Sequence, residues 1–311
     1  MTDRRGRGLA ALAFLVPLAH LGPGQVTSAF RLKSAILVAA AAALALSVAR
    51  WMHRTRTLPV TFTRHGIAGA LFFALQLASA AWAGNPLGAL DVAIGRVALG
   101  AVFLLAYVHG ERLPVRSVLG AAAAAAIGVA LFAMGASGAS STLENPNFAA
   151  TFLACALPGA ALLFLDSPRS GAARALGAAA CVVAAGQLLR TGSRGGWIAG
   201  AVGLAVLAAG TRQRRAILVP VALLAALAVV PGLRERARTS IDPSWPTNRV
   251  RLLVWGATAR VVRDHPLLGV GAGGFESAFA PHRPAEEALL DAEGARVDQP
   301  HHLLLHVVVE T

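Results

Sequence analysis

The feature that most constrains the fold is a repeated pattern of long apolar runs, separated by short segments that contain arginine. The runs lie at about 8–20, 34–48, 67–83, 92–108, 118–135, 148–165, 172–189, 196–210 and 216–230. About 20 apolar residues are enough to cross a bilayer as an α-helix, and a spanning segment must satisfy its own backbone polar groups. The sequence therefore predicts an all-α, polytopic transmembrane helical bundle with about nine complete spans and one long periplasmic loop.

The composition narrows the class of protein further. The sequence is 56% hydrophobic and 14% charged, with a mean hydropathy of +0.62. A soluble core could not bury so much apolar surface, so lipid is the expected solvent. The formal net charge of +13 is typical of nucleic-acid-binding proteins, but here the arginines stand in short clusters between apolar runs. This arrangement indicates membrane topology, and we expect no nucleic-acid partner.

The arginines also predict the orientation of the spans. With the N-terminus in the cytoplasm and nine alternating spans, fourteen basic residues lie in cytoplasmic segments and four in short outer loops. The four are Arg31, Lys33, Arg190 and Arg194. This positive-inside asymmetry predicts a multi-pass protein of the bacterial inner (cytoplasmic) membrane, with segment 231–300 in the periplasm. Arg96 is an exception, because it falls inside a span, where an arginine costs about 2.5–3.5 kcal/mol.

The last apolar run begins at His301 and stops at Thr311. A helix of this length rises about 16 Å, roughly half the thickness of the hydrocarbon core. We therefore expect that the sequence is truncated within a further span.

The outer turn 190–197 combines two arginines with hydroxyl side chains and glycines. Glycine-rich turns let backbone N–H groups approach an anion, and arginine binds phosphate through two parallel hydrogen bonds. This composition predicts an anion site that contains Arg190, Ser193 and Arg194. The alternative is an interface anchor, in which the arginines reach lipid headgroups and Trp197 lies in the aromatic belt.

A helix is predicted for 248–264 within the periplasmic segment. Thr247 or Asn248 can cap its start, and Pro266 disfavours helix at His265. The helical period places three arginines on one face, which we interpret as solvated or headgroup-facing: Arg249, Arg260 and Arg263.

Arg251 lies on the opposite, apolar face of this helix, with Trp255 one turn further on. An arginine in the middle of an apolar face needs a partner, either a carboxylate or a bound anion. The pattern therefore makes Arg251 a candidate binding residue. The glycine-rich segment 269–274 that follows has no strand before it, so we interpret it as a tight turn at the membrane surface and not as a nucleotide-binding loop.

Three histidines cluster where the periplasmic segment meets the last apolar run: His301, His302 and His306. His302, His306 and Glu310 recur every four residues, but no further residue is spaced to complete a tetrahedral site, and we expect no metal. A histidine at a membrane mouth suits a general base. An interfacial histidine without a chemical role is the alternative.

Four short motifs follow one another in the second half of the chain. They are NPN at 145–147, TGSR at 191–194, R-x-x-x-W at 251–255 with DHPLLGVG at 264–271, and an H…ET close at 301–311. Together they resemble motifs of the O-antigen ligase and O-antigen polymerase-like membrane protein family. The resemblance covers about residues 145–311.

The resemblance implies a membrane glycosyltransferase without a metal or other cofactor. Such an enzyme would transfer a glycan from undecaprenyl diphosphate to an acceptor hydroxyl, as an O-antigen ligase does to lipid A–core in lipopolysaccharide biosynthesis. The ligase-like domain would cover 144–311, including the periplasmic loop 231–300, after N-terminal transmembrane helices in 1–143.

Matching positions also imply roles for individual residues. His301 would be the catalytic base, and Arg194 and Arg251 would bind the donor diphosphate. Arg190, Ser193, Asn147 and Trp255 are candidates for supporting roles. His302 stands where the family has an asparagine, so no role is carried over to that position.

Two kinds of alternative function remain open. O-antigen polymerases and protein O-oligosaccharyltransferases share these motifs and differ in the acceptor. A solute or lipid transporter is a more distant alternative, in which Arg96, Arg194 and Arg251 would line a substrate pathway. The sequence shows neither an inverted repeat nor paired broken helices, which disfavours a transporter.

Overall fold

A computed structural model of the chain describes residues 3–19, 63–109, 115–135, 141–143, 145–168, 171–210, 231–239, 242–290, 297 and 299–311, with single positions between 33 and 54. The described residues form helices and turns without a strand. The helices are α1 (Asp3–Leu18), α2 (Arg64–Ala78), α3 (Pro86–His109), α4 (Val115–Gly135), α5 (Pro146–Asp166), α6 (Ala172–Arg190), α7 (Arg194–Gly210), α8 (Pro231–Arg238), α9 (Pro246–Asp264), α10 (Phe275–Phe279), α11 (Ala285–Leu290) and α12 (Leu303–Glu310). The all-α prediction is confirmed for this part of the chain.

Five helical segments are long and apolar enough to cross a membrane. They are Arg64–Trp82, Pro86–Leu104, Val115–Met134, Pro146–Asp166 and Ala172–Arg190. Helix α7 is apolar but shorter. All six overlap predicted spans, as does α1. The predicted span 216–230 lies outside the described residues, and 34–48 is described at single positions only, so the total of nine stays a prediction.

The chain divides into two compact units, each formed by two separate segments. Unit 1 contains Met1–Ile36 and Glu111–Thr239, and unit 2 contains Leu37–Gly110 and Ser240–Thr311. Helices α1 and α4 to α8 belong to unit 1, and the remaining described helices belong to unit 2. Both units therefore depend on contacts between residues that are far apart in the sequence.

Helix α5 is central to unit 1 and packs against α4, α6 and α7. At its start the Asn145 side chain accepts a hydrogen bond from the Asn147 N–H at 2.8 Å, and Pro146 occupies the first turn, where its missing N–H costs nothing. Leu153 and Leu157 are fully buried, and alanines supply much of the surrounding core. Small side chains let the helices approach closely, as in other membrane bundles.

Two buried glycines of α7 mark another close helix contact. A Cβ added at Gly196 would lie 2.6 Å from the Ala150 Cβ, and one at Gly200 would lie 3.0 Å from the Leu188 Cδ2. These contacts join α7 to α5 and α6. The Gly196-x-x-x-Gly200 spacing therefore forms a close helix contact, as small residues four apart do in other membrane bundles.

Replacing Gly177 of α6 by alanine should destabilise unit 1, because the backbone of α5 leaves no room for a methyl group. A Cβ there would lie 2.6 Å from the Phe164 nitrogen and 2.8 Å from the Ala160 carbonyl oxygen, and such overpacking costs about 1–3 kcal/mol. The matched control is Gly186→Ala on the same helix, where the added Cβ has no neighbour within 4 Å. Thermal unfolding in detergent checks the difference, and equal midpoints would contradict this packing.

Unit 2 combines a helical hairpin with the polar C-terminal segment. Helices α2 and α3 pack against each other, and their Phe73 and Phe103 ring centroids lie 5.7 Å apart. Helices α9, α10 and α12 share a separate apolar core: Val254, Val261, Phe275, Phe279 and Val309. The Ala272 N–H donates to the Ser79 carbonyl oxygen at 3.2 Å, which joins the glycine-rich turn to the hairpin.

The start of α9 differs from its prediction. Trp245, and not Thr247 or Asn248, is the N-cap residue, and Pro246 is in the first turn. Proline fits this position because its backbone angle is already helical and it has no N–H to satisfy. The Asn248 side chain instead donates to the Asp242 carbonyl oxygen at 2.7 Å. The predicted end is confirmed, since His265 is the C-cap residue.

Candidate functional site

A tight turn between α6 and α7 carries the predicted anion-site residues of unit 1. The Thr191 hydroxyl donates to the Leu188 carbonyl oxygen at 2.7 Å and accepts a hydrogen bond from the Ser193 N–H at 3.2 Å. Gly192 has a φ of 63°, a conformation that glycine adopts without steric cost. Arg190 is exposed, and the half-buried Arg194 begins α7. The turn therefore fixes the backbone on both sides of Ser193.

Trp197 is part of the core of unit 1. Its side chain is 4% exposed, and its Nε1–H donates to the Leu188 carbonyl oxygen at 2.9 Å. The alternative interpretation, in which Trp197 lies in an aromatic belt at the lipid interface, is therefore wrong. Asn147, on the first turn of α5 in the same unit, is exposed.

The exposed arginines of α9 have the contacts expected of a polar face. Arg249 forms a bidentate pair with Glu286 at 2.7 and 2.8 Å, and Arg260 donates to the His282 carbonyl oxygen at 2.9 Å. The hydrogen bond from Arg249 lowers the pKa of the Glu286 carboxyl. The resulting stabilisation is present above the ordinary carboxyl pKa and is lost as pH falls through the lowered value.

Arg251 lies at the edge of the buried face of the same helix. Its side chain is half-buried, while Val254 and Thr258 further along that face are buried. Within the described part of the chain, Arg251 has no hydrogen-bond or ion-pair partner. The predicted division of α9 into a polar and an apolar face is confirmed, but Arg251 lies at the edge of the apolar face and not in its middle. A cation in this environment is suited to bind an anion.

Trp255 connects α9 to the histidine turn. Its Nε1–H donates to the Pro300 carbonyl oxygen at 2.9 Å, and its ring packs edge-on against His302 at a centroid distance of 5.3 Å. Residues four apart on a helix are neighbours on its surface, so Trp255 is next to Arg251. Unit 2 therefore brings Arg251, Trp255 and the turn that contains His301 into one region.

His301 has an unusual backbone conformation. Its φ is 51°, the one positive value for a non-glycine residue in the described ranges, and its side chain is exposed. Such a conformation costs about 1–3 kcal/mol and is maintained by the surrounding structure. Trp255 on one side and helix α12 on the other supply that structure.

His302 caps helix α12. Its Nδ1 accepts a hydrogen bond from the Leu305 N–H at 3.3 Å, and its backbone is extended, as is usual for a cap residue. Asparagine is a preferred residue for this position. The family that the motifs resemble has an asparagine at this position. Histidine can replace it, because both side chains can accept this hydrogen bond.

The glycine-rich segment after α9 is a series of turns. Gly269, Gly271 and Gly273 all have positive φ values, of 57°, 81° and 66°. A Cβ at Gly271 would lie 2.6 Å from the Ala83 Cα, so a side chain there would collide with the backbone after the 3₁₀ turn Ser79–Trp82. The glycines serve close packing in unit 2, in agreement with the interpretation as a tight turn.

The sequence did not predict an ion pair between Arg96 and Glu310 in unit 2. The Arg96 Nη2 and Glu310 Oε2 atoms lie 2.7 Å apart. Two features of the sequence could have suggested it. Arg96 is a charge inside an apolar run, and Glu310 belongs to the ET motif that closes the chain.

The predicted site residues thus fall into two groups. Arg190, Ser193 and Arg194 share one turn of unit 1, and Asn147 lies on another helix of that unit. The second group, in unit 2, is Arg251, Trp255 and His301.

These features define an all-helical, multi-pass membrane protein with a folded polar segment. The sequence model of the family described as O-antigen ligase matches residues 179–311. This match supports the O-antigen ligase-like family that the motifs predicted. The family indicates a glycosyltransferase of the O-antigen ligase or polymerase type. A search of curated proteins and a search of solved structures each found no significant match.

Trp255→Phe should lower the rate of transfer by about five- to tenfold. Phenylalanine keeps an aromatic ring next to His302 but loses the hydrogen bond to the Pro300 carbonyl oxygen. A hydrogen bond contributes a net free energy of about 1 kcal/mol. If its loss displaces the turn and raises the activation free energy by this amount, the rate falls by nearly this factor. Trp245→Phe is the matched control, since Trp245 is 39% exposed at the far end of α9. Initial rates at equal expression check this, and equal rates for the two variants would contradict a positioning role for Trp255.

Proposed function

We propose that this protein transfers a glycan from undecaprenyl diphosphate to an acceptor hydroxyl at the periplasmic face of the inner membrane. The acceptor in this proposal is lipid A–core, which makes the protein an O-antigen ligase. The family match supports the glycosyltransferase type, and the positive-inside pattern of the sequence supports the orientation.

The strongest structural support for the proposal is the environment of Arg251. This half-buried cation has no partner in the described residues, and Trp255 connects its helix to the His301 turn. A partly desolvated guanidinium gains most from a ligand with two negative oxygens in a plane. The diphosphate of a lipid-linked donor is such a ligand.

The reaction transfers the glycan from one oxygen to another. The acceptor oxygen forms a bond to the anomeric carbon of the donor, the bond from that carbon to the phosphate oxygen breaks, and undecaprenyl diphosphate leaves. Negative charge on the diphosphate increases in the transition state. Arg251, and Arg194 in unit 1, bind the diphosphate in this proposal and therefore stabilise the transition state more than the bound donor.

His301 receives the proton of the acceptor hydroxyl on a ring nitrogen. Its exposed side chain is accessible to an acceptor as large as a lipid-linked oligosaccharide. A positioned base of this kind contributes about 10²- to 10⁴-fold to the rate. Because Trp255 and the cap at His302 fix the turn on both sides of His301, its backbone conformation is defined before the acceptor binds.

Arg190, Ser193 and Asn147 have supporting roles in this proposal. The first two belong to the same turn as Arg194, and the backbone of that turn is fixed by the Thr191 hydroxyl. Asn147 precedes the matched segment 179–311, so its inclusion extends the functional domain back to about residue 144.

The alternatives differ in their requirements. An O-antigen polymerase or a protein O-oligosaccharyltransferase would use the same donor chemistry with another acceptor. In a transporter, Arg96 would be available to the transported substrate. Its ion pair with Glu310 accounts for this arginine without such a substrate, which favours the enzyme.

Complementation tests the proposal and separates the alternatives. The gene is expressed in bacterial strains that lack either their O-antigen ligase or their O-antigen polymerase, and the lipopolysaccharide ladder is examined by electrophoresis. Restored attachment of O-antigen in the ligase-deficient strain supports the ligase, and restored chain length in the polymerase-deficient strain supports the polymerase. No restoration in either strain, with the protein present in the membrane, would contradict both functions.

A further inference from the structure

Arg96 of α3 and Glu310 of α12 form a buried ion pair in unit 2. Their side chains are 13% and 3% exposed, and the closest N–O distance is 2.7 Å. The Arg96 Nη1 also donates to the Gln76 carbonyl oxygen at 2.9 Å and to the Ser79 hydroxyl at 3.3 Å. His306, one turn before Glu310, has its Nε2 3.7 Å from the same carboxylate. The guanidinium is therefore bound by groups from α2, from the 3₁₀ turn and from α12.

Stability alone does not explain an ion pair at this position. Helix α3 is apolar enough to span a membrane over Pro86–Leu104, and a charge within a span is unfavourable. Apolar residues of similar volume often stabilise a protein as much as a buried ion pair does. The distinctive property of the pair is geometric. An ion pair with several hydrogen bonds can form in only a few relative orientations of α3 and α12.

The ion pair fixes the helix that follows the histidine turn at a point two turns after its start. Glu310 lies on α12, and His302 caps the first turn of that helix. The Val270 N–H also donates to the Val309 carbonyl oxygen at 2.7 Å, so a second contact fixes the same turn of the helix. From Leu303 to Glu310 the helix is a rigid segment of about 12 Å. Fixing it at Glu310 therefore fixes the direction of its first turn and of His301 before it.

We propose that Arg96 and Glu310 are positioning residues for glycan transfer, which orient α12 so that His301 meets the acceptor. This inference rests on the proposed function, since His301 has its role in that reaction. Neither residue of the pair is assigned a contact with the substrate. Removal of one partner leaves the other charge buried and unpaired, and α12 then loses its fixed orientation.

A spin label on α12 measures this orientation without a transfer assay. The label is attached through Leu304→Cys, at a position that is 69% exposed, after both native cysteines, Cys155 and Cys181, are replaced by serine. We expect a restricted spectrum with the intact pair and a more mobile one in Arg96→Gln and in Glu310→Gln. The double variant should show no further increase, because the two residues act as one unit.

Transfer kinetics of the same variants measure the consequence for the reaction. Each single variant should lower kcat by about tenfold, since small displacements of a catalytic group have large effects on rate, while KM for the donor changes little. Arg96→Lys, which keeps the charge, should recover part of kcat and of the restricted spectrum. Arg116→Gln is the matched control, because its ion pair with Asp166 has a similar length of 2.8 Å but side chains that are 70% and 60% exposed. It should change neither measurement.

Two outcomes would overturn the inference. One is an unchanged spectrum in Arg96→Gln and Glu310→Gln, whatever the kinetics show. The other is a mobile spectrum with an unchanged kcat, which would show that α12 need not be fixed for transfer. If the unmodified protein transfers no glycan, the proposed function fails and the positioning role fails with it. The spectra distinguish the two failures, because they show whether the ion pair fixes α12 even when no glycan is transferred.

Discussion

His301→Asn is expected to lower the rate of glycan transfer by about 10²- to 10⁴-fold, the contribution of a positioned general base, without unfolding the protein. The asparagine amide cannot accept the acceptor proton. Asparagine tolerates the left-handed backbone region better than most residues, so it suits the φ of 51° at this position. Turnover at saturating lipid-linked donor, together with thermal unfolding, checks both parts of the expectation.

His265→Asn is the control for this experiment. His265 is also exposed, and it is the C-cap residue of α9 with a negative φ. Its replacement should leave turnover nearly unchanged. Wild-type turnover in a folded His301→Asn variant would show that another group, or the solvent, takes the proton.

Arg251→Ala is expected to lower kcat/KM by about 10²- to 10³-fold, and Arg251→Lys by about 10- to 100-fold. Alanine removes the charge that would meet the diphosphate, and removing one donor that stabilises a developing anion costs a factor of this size. Lysine keeps the charge but loses the planar fork that binds two oxygens. Initial rates at several donor concentrations, at matched expression, measure both losses.

Arg260→Lys is the matched control for Arg251. Both residues lie on α9, but Arg260 is exposed and makes one hydrogen bond, to the His282 carbonyl oxygen. Lysine can make a single hydrogen bond of this kind, so Arg260→Lys should be nearly silent. If the two lysine variants have the same activity, the environment of Arg251 has no bearing on donor binding.

The sequence was most informative where a structural property depends on neighbouring residues. The helical period of α9 placed Arg251 on the apolar face and Arg260 on the polar one, and the structure shows that difference in burial. The turn before Arg194 was predicted for the same reason, because glycine and short polar residues determine local backbone geometry. The motif order further indicated the family that the match over 179–311 supports.

The contacts that define the site depend on tertiary structure and were not predicted. Arg96 and Glu310 are separated by 214 positions, and no local pattern pairs two such residues. The hydrogen bond from Trp255 to the Pro300 carbonyl oxygen spans 45 positions and was missed for the same reason. The positive φ of His301 was not predicted either, because histidine alone does not favour that conformation.

The most direct test of the account is transfer by the purified protein in lipid vesicles. The vesicles contain lipid A–core and an undecaprenyl-diphosphate-linked oligosaccharide labelled in the glycan, with a chelator and no nucleotide sugar. Labelled glycan should appear on lipid A–core, an equal amount of undecaprenyl diphosphate should be released, and His301→Asn should greatly slow both. Active wild-type vesicles in which His301→Asn and Arg251→Ala transfer at the same rate, or wild-type vesicles that form no labelled lipid A–core, would contradict these expectations.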